Sequence, residues 1–309
     1  QVMTLPAGDL GFAFGVESRE EAGKFLPDPL AQSGATTNLA AGPTGGGYKV
    51  NEAYLELNVP ILADLPGARE LSLSAATRHS DYNTFGTTLN SKFGFKWKPI
   101  EQLLVRGTWA QGFRAPTISD LYGGGSETFT TGYRDPCDTV YGASASSAEV
   151  RARCAAAITN ADTYRQLRQG GVPITSSSDQ TPVPFTNGSN PDLQPETSTS
   201  RTLGLVWSPT FVPNLNVALD WWKVRIDNTI VNDHPNDMLR DCYEQGIASR
   251  CSGFTRDPVT GIVDKLKYGK RNSGFLETEG YDLELSHHLD TAYGKLSTGW
   301  TTTYVSSLL

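Results

Sequence analysis

The stretch LLVRGTWAQGFRAP, residues 103–116, decides how the rest of the chain is read. Leu103, Val105 and Trp109 occupy one set of alternate positions, and Arg106 and Thr108 the other. A period of two residues is that of a β-strand with one apolar face. Gly112 and Pro116 end it. No comparable strand returns until about Thr199, more than eighty residues on. Connections longer than about fifteen residues without structure of their own are uncommon and are usually functional. In the other direction the alternation resumes across KPIEQ, five residues.

The same alternation recurs along the chain. Phe12, Phe14 and Val16 share a face, as do Leu55, Leu57 and Val59, then Leu71 and Leu73, then Phe93, Phe95 and Trp97. Later come Leu203, Leu205 and Trp207; Leu215, Val217, Leu219 and Trp221; Tyr281, Leu283 and Leu285; and Leu296, Trp300 and Tyr304. This predicts about nine strands, most near the length of roughly ten residues that a tilted membrane strand needs. Four connections are short: PILADLPGAR, KPIEQ, SPTFVPN and HLDTAYGK. Between them fall the long connections 18–49, 113–197 and 230–276, and one brief loop near Asp81 to Gly86. Alternation of short turns and long loops is the habit of an up-and-down barrel in an outer membrane.

Composition agrees with strands. The 309 residues include 31 Gly and 18 Pro, with 10% aromatics. The net charge of -7, with no basic stripe, speaks against a nucleic-acid partner. No run of about eighteen apolar residues exists, so no transmembrane helix is expected. The mean hydropathy of -0.34 suits a water-soluble chain but also a barrel, in which half of each strand is polar. Cys137, Cys154, Cys242 and Cys251 fall into two local pairs without zinc-knuckle spacing. Bridges Cys137–Cys154 and Cys242–Cys251 are expected, in an oxidising compartment.

A soluble secreted β-rich binding protein or hydrolase with two disulfides would also alternate. Three features favour the membrane. Glu56, Arg78, Lys92, Lys96, Arg106 and Asp220 lie on the polar faces, and the opposite faces are almost free of charge. Trp97 and Trp207 stand two residues before short turns, where an aromatic girdle would place them. Sequential hairpins also lack the crossovers of a Greek key. Arg201 and Lys223 break the pattern, sharing parity with apolar neighbours near the expected outer rim, where snorkelling is cheap.

LLVRGTWAQGFRAPTISDLY followed by NPDLQPETSTSRTLGLVWSP resembles the barrel domain of TonB-dependent outer-membrane receptors. The G-F-R-A-P strand end, the step Ile118 to Leu121 and Asn190, Pro191, Leu193, Pro195 and Glu196 carry the likeness. WWKVRIDNTIV and GFLETEGYDLEL resemble later strands of that family. The resemblance implies an all-β, antiparallel transmembrane barrel of about 22 strands, plugged by an N-terminal domain. Residues 1–309 would be part of that barrel, about nine strands with long extracellular loops, without the plug or the last strands. It implies active, TonB-energised uptake of a siderophore, cobalamin or oligosaccharide, with no enzyme activity. The partners implied are outer-membrane lipid and lipopolysaccharide, an extracellular small ligand, and the TonB complex through the missing N-terminal part. A passive porin is a neighbouring alternative.

Candidate binding residues lie in the longest loop. Arg114, at the barrel mouth, could hold an anion or pair with Asp120 or Glu196. Tyr122, Phe129, Tyr133 and Arg134, beside Gly123–Gly125, could stack on a sugar or chelate ring. Asn190 to Glu196 reads as a rigid turn, preset by Pro191 and Pro195. SAEVRARCAAAIT has helical composition. His287 and His288, expected at a short turn, point to opposite faces and suggest no metal site. No catalytic motif, cofactor site or metal site is found.

Overall fold

The computed structural model describes residues 3–37, 39–168, 170–176 and 178–309. Its frame is one nine-stranded antiparallel sheet in which every strand pairs with its neighbours in sequence. The strands are β1 (Gly11–Phe25), β2 (Thr44–Leu65), β3 (Ala68–Tyr82), β4 (Gly86–Ile100), β5 (Leu103–Arg114), β6 (Glu196–Trp207), β7 (Leu215–Asp227), β8 (Phe275–Thr291) and β9 (Gly294–Leu308). Among the described residues no helix is long and apolar enough to cross a membrane, which says nothing of a barrel.

Register turns the sequence alternation into two surfaces. Leu71, Trp97, Val105, Leu205, Leu219, Leu283 and Thr302 form one row across seven strands. One residue along each strand, the row reads Ser72, Lys96, Arg106, Gly204, Asp220, Asp282 and Thr303. The apolar surface is uncovered: Phe14 is 74% exposed and Trp300 66%. A soluble domain does not leave so large an apolar patch facing water. Lys or Arg near the middle of a lipid-facing surface costs about 2–4 kcal/mol, which explains the strict parity. The sheet is part of a barrel wall and does not close on itself.

At one end the turns are tight. Strand pairing runs to Leu65 and Ala68, to Ile100 and Leu103, and to Thr291 and Gly294. Gly67, at φ 77°, makes the first of these possible. Trp97 donates its indole N–H to the Gly67 carbonyl at 3.0 Å, fixing its ring at the short-turn end of the sheet. The expected turn position of His287 and His288 is superseded, since both lie within β8.

At the other end the first connection is shorter than the sequence suggests. Residues 18–25 and 44–49, expected in a loop, continue β1 and β2 as a paired ladder up to Phe25 and Thr44. The apolar alternation stops there because both faces become polar, but backbone pairing does not need it. Glu20 and Lys49 form an ion pair at 3.0 Å on this extension. The loops that remain are 26–43, 83–85, 115–195 and 228–274.

Candidate functional site: a loop cap and its basic pocket

The two longest loops fold together into a cap with a core of its own. Tyr133, Cys137, Val150, Cys154, Tyr164 and Phe185 from one loop pack with Leu239, Cys242, Tyr243, Val263 and Leu266 from the other. Helix α1 (Ala148–Ala157) starts at Ser147, whose hydroxyl accepts the Val150 N–H, and buries Val150 and Cys154. Helix α2 (Pro235–Tyr243) starts with Pro235 and buries Met238, Leu239, Cys242 and Tyr243 along one side. Cys137 is bonded to Cys154 and Cys242 to Cys251, so each bridge stays within one loop.

The tie between the loops is ionic. Arg256 grips Asp135 with two hydrogen bonds of 2.8 Å, and both side chains are buried. The Tyr164 hydroxyl donates to Asp135, and Arg256 donates to the Tyr243 hydroxyl, each at 2.8 Å. Burial pushes the Asp135 carboxyl up. The Arg256 charge and the Cys137 and Tyr164 donors outweigh it and hold the group below the usual carboxylate value.

The cap is anchored to the wall at the GFRAP stretch. Arg114 makes a two-pronged pair with Glu196 at 2.7 and 2.8 Å, joining the ends of β5 and β6. Glu196 also accepts the Ile230 N–H at 2.7 Å, so the same carboxylate holds the start of the second loop. Thr117 and Asp120 cap the short helix Ile118–Tyr122 reciprocally, and Lys270 reaches Asp120 at 2.5 Å. Burial raises the Asp120 carboxyl; the Lys270 and Thr117 hydrogen bonds more than offset it and leave it lowered. Asn190 to Glu196 is a structural turn: Leu193 is buried, and Gln194 and Asn272 exchange hydrogen bonds of 2.8 Å.

From β5 the chain crosses the polar face of the wall. Ile118 lies near Gly23, and Tyr122 lies so close over Gly46 that any side chain there would strike its ring. Gly23 and Gly46 are register partners on that polar face. Gly124 then passes against Gly42, with Gly42 N–H donating to Gly125 O at 2.7 Å. The three glycines therefore serve a close backbone crossing. Residues 126–128, 185–188, 267–272 and 230–232 form a four-stranded sheet, and Ala41 bridges to its edge at Ser126.

The candidate aromatic cluster is thus dispersed. Tyr122 packs on β2. Tyr133 is 3% exposed in the cap core, against Phe185, and its hydroxyl has no hydrogen-bond partner among the described residues. Phe129 is half-buried. Arg134 is exposed at a separate pocket shared with Asn236 and Arg240. Arg114 is held by Glu196 and, at 3.6 Å, by Asp120.

Beside the cap sheet is a pocket of about 460 Å³ lined by Arg250, Lys267, Lys270, Arg271, Tyr268 and Asp233, among others. Asp233 is buried and pairs with Arg250 at 2.5 Å and Arg271 at 3.2 Å. Lys270 is held by Asp120, and Lys267 is exposed with no ion pair among the described residues. The pocket is cationic in a chain of net charge -7. Its sequence signal is KLKYGKR at residues 265–271, which places four cations in seven positions.

The sequence matches the profile described as TonB dependent receptor-like, beta-barrel, over residues 4–308. The chain belongs to the TonB-dependent receptor β-barrel family. That family is one of receptors and transporters. Among solved structures, the chain is similar to the siderophore receptor PirA from Pseudomonas aeruginosa. The TM-score is 0.52 and the identity 17%, over 96% of this chain and 39% of that one. PirA from Acinetobacter baumannii matches with a TM-score of 0.54 and 15% identity, over 97% of this chain and 34% of that one. A ferric enterobactin receptor (PfeA) mutant from Pseudomonas aeruginosa, in complex with enterobactin, gives 0.59 and 15%, over 98% and 34%. These likenesses establish the shared barrel fold, and the TonB-dependent receptor chain described here spans between a third and two-fifths of each. A comparison with curated proteins finds no match.

Proposed function

We propose that the full-length protein is an outer-membrane receptor that takes up a scarce extracellular ligand with energy passed through TonB. The long-loop end faces the cell exterior, and a plug domain and the remaining strands complete the barrel. The ligand is anionic, of the kind that a ferric siderophore represents, and meets the pocket at Lys267, Lys270 and Arg271.

The observation that carries this reading is the cationic pocket, built where two long loops meet over the polar face of the wall. Cations focused in a concave site raise the local concentration of an anionic ligand. A neutral oligosaccharide would gain little from them. Uptake by the full-length receptor in cells tests it, with Lys267→Gln combined with Arg271→Gln. The pair should weaken binding of an anionic ferric chelate about tenfold or more and leave an uncharged oligosaccharide unaffected. Equal affinity of the variant and the parent for the chelate would overturn the ligand class.

A further inference from the structure

Arg250, one of the cations of the pocket, sits on a segment with little else to hold it. Residues 244–249 are exposed, and the short helix Ala248–Cys251 buries no residue. A single helical turn has little stability of its own in water. A segment without apolar burial opens at little cost. Among the described residues the last backbone tie from this segment to α2 is at Ile247, whose N–H donates to Asp241 O at 2.9 Å.

Beyond it, two adjacent side-chain ties take over. Asp241 of α2 accepts from Arg250 Nε at 3.2 Å, and Cys242, the next residue, is bonded to Cys251. Arg250 then reaches the buried Asp233, just before α2, and Arg271 takes the other oxygen of the same carboxylate at 3.2 Å. One carboxylate thus serves two guanidinium groups. While Arg250 shares it, Arg271 keeps donors for a ligand. Without Arg250, Arg271 becomes the only cation on Asp233, and the pocket also loses a positive charge.

The two bridges differ in access. Cys137 and Cys154 are 0% and 1% exposed in the cap core, whereas Cys242 is buried and Cys251 half-buried. Thiol–disulfide exchange requires a thiolate to reach a sulfur, so an external thiol meets the Cys242–Cys251 bridge first.

We infer that the Cys242–Cys251 bridge positions Arg250 in the pocket, and that a small-molecule thiol opening it lowers the affinity of the pocket for anions. In the exchange the thiolate attacks Sγ of Cys251, the S–S bond breaks, and Cys242 leaves as a thiolate. A second thiolate attacks the mixed disulfide and releases Cys251. Two small thiols are oxidised to one disulfide, and the protein gains two cysteine thiols. This rests on the reading of the pocket as the site of anion capture.

The test uses the full-length receptor in mild detergent, with inorganic pyrophosphate as the anion and titration calorimetry as the readout. Millimolar glutathione followed by iodoacetamide should alkylate Cys242 and Cys251 and leave Cys137 bonded to Cys154. The reduced receptor and the Cys242→Ser/Cys251→Ser variant should each bind pyrophosphate about tenfold more weakly than the parent, the effect of losing one hydrogen bond to a charged group. Arg250→Gln should weaken the parent equally and add nothing in the Cys242→Ser/Cys251→Ser variant, whereas Lys267→Gln should weaken both further. A bridge that merely supports the fold would make the first two losses additive. Limited proteolysis should gain a cut between residues 244 and 252 and none between 115 and 195. Unchanged affinity on opening the bridge, additive losses, cleavage spreading into 115–195, or reduction of Cys137–Cys154 first would overturn the positioning role. A parent that binds no pyrophosphate would instead overturn the capture reading on which it rests.

Discussion

Arg106 and Asp220 form an ion pair across a strand that separates them. Arg106 is on β5 and Asp220 on β7; Gly204 of β6 lies between, register partner to both. The guanidinium reaches the two carboxylate oxygens at 3.0 and 2.9 Å. A side chain at Gly204 would collide with the carboxylate and come within 3.0 Å of Arg106 Nε. Gly204→Val should therefore lower the stability of the full-length receptor by about 1–3 kcal/mol. The pair itself is half-exposed, and its worth is about 1 kcal/mol or less. Denaturant unfolding in detergent would show this. In an Arg106→Ala background the Gly204→Val cost should shrink, and strict additivity would mean the collision is not with this pair.

The Asp135–Arg256 pair gives the cap a pH limit. The native carboxyl titrates below its unfolded value, so its contribution is fully present above the unfolded value and disappears as pH falls through the native one. Limited proteolysis of loops 115–195 and 228–274 should show no change from pH 8 to pH 5 and faster cleavage below about pH 4. Asp135→Asn leaves Arg256 buried without its anion and should cost the cap about 3–5 kcal/mol at neutral pH. Cleavage that accelerates as pH rises would contradict the sign.

Each disulfide should map within its own loop. Non-reducing peptide analysis is expected to recover Cys137 with Cys154 and Cys242 with Cys251; a Cys154–Cys242 fragment would contradict the cap packing. With Cys137 and Cys154 separated by 17 in sequence, loss of that bridge should cost about 3 kcal/mol in the chain-entropy account.

Adjacent positions on β5 should report opposite surroundings. A spin label at position 105 in the full-length receptor should be quenched by a lipid-soluble agent, and one at 106 by a water-soluble one. A one-residue slip in register would exchange the two results, so equal water access at both would remove β5 from a membrane wall.

The wall was legible in the sequence because burial in lipid imposes a period of two that no local preference imitates. Val105, Leu205 and Leu219 align as their parity requires. The upper parts of β1 and β2 were illegible, since Arg19, Glu20 and Lys49 carry no apolar rhythm although the ladder continues through them. The cap core was hidden for a different reason. Asp135 and Arg256 are 121 positions apart, and nothing local to either announces the other. Tyr133 looked like a surface ring because its neighbours are polar, but its burial comes from Phe185 and from the other loop. The cations at 265–271 were visible in the sequence; that Asp233 and Asp120 neutralise some of them, leaving Lys267 free of an ion pair among the described residues, was not.

The small sheet of the cap draws its strands from both long loops and is bridged at its edge by a third segment at Ala41. The surface it presents is a mosaic of segments far apart in the chain. An antibody raised against the intact protein would therefore see a discontinuous epitope, and a peptide copied from any single loop would be a poor immunogen for it. Reduction and denaturation should abolish recognition even with every residue of the epitope still present.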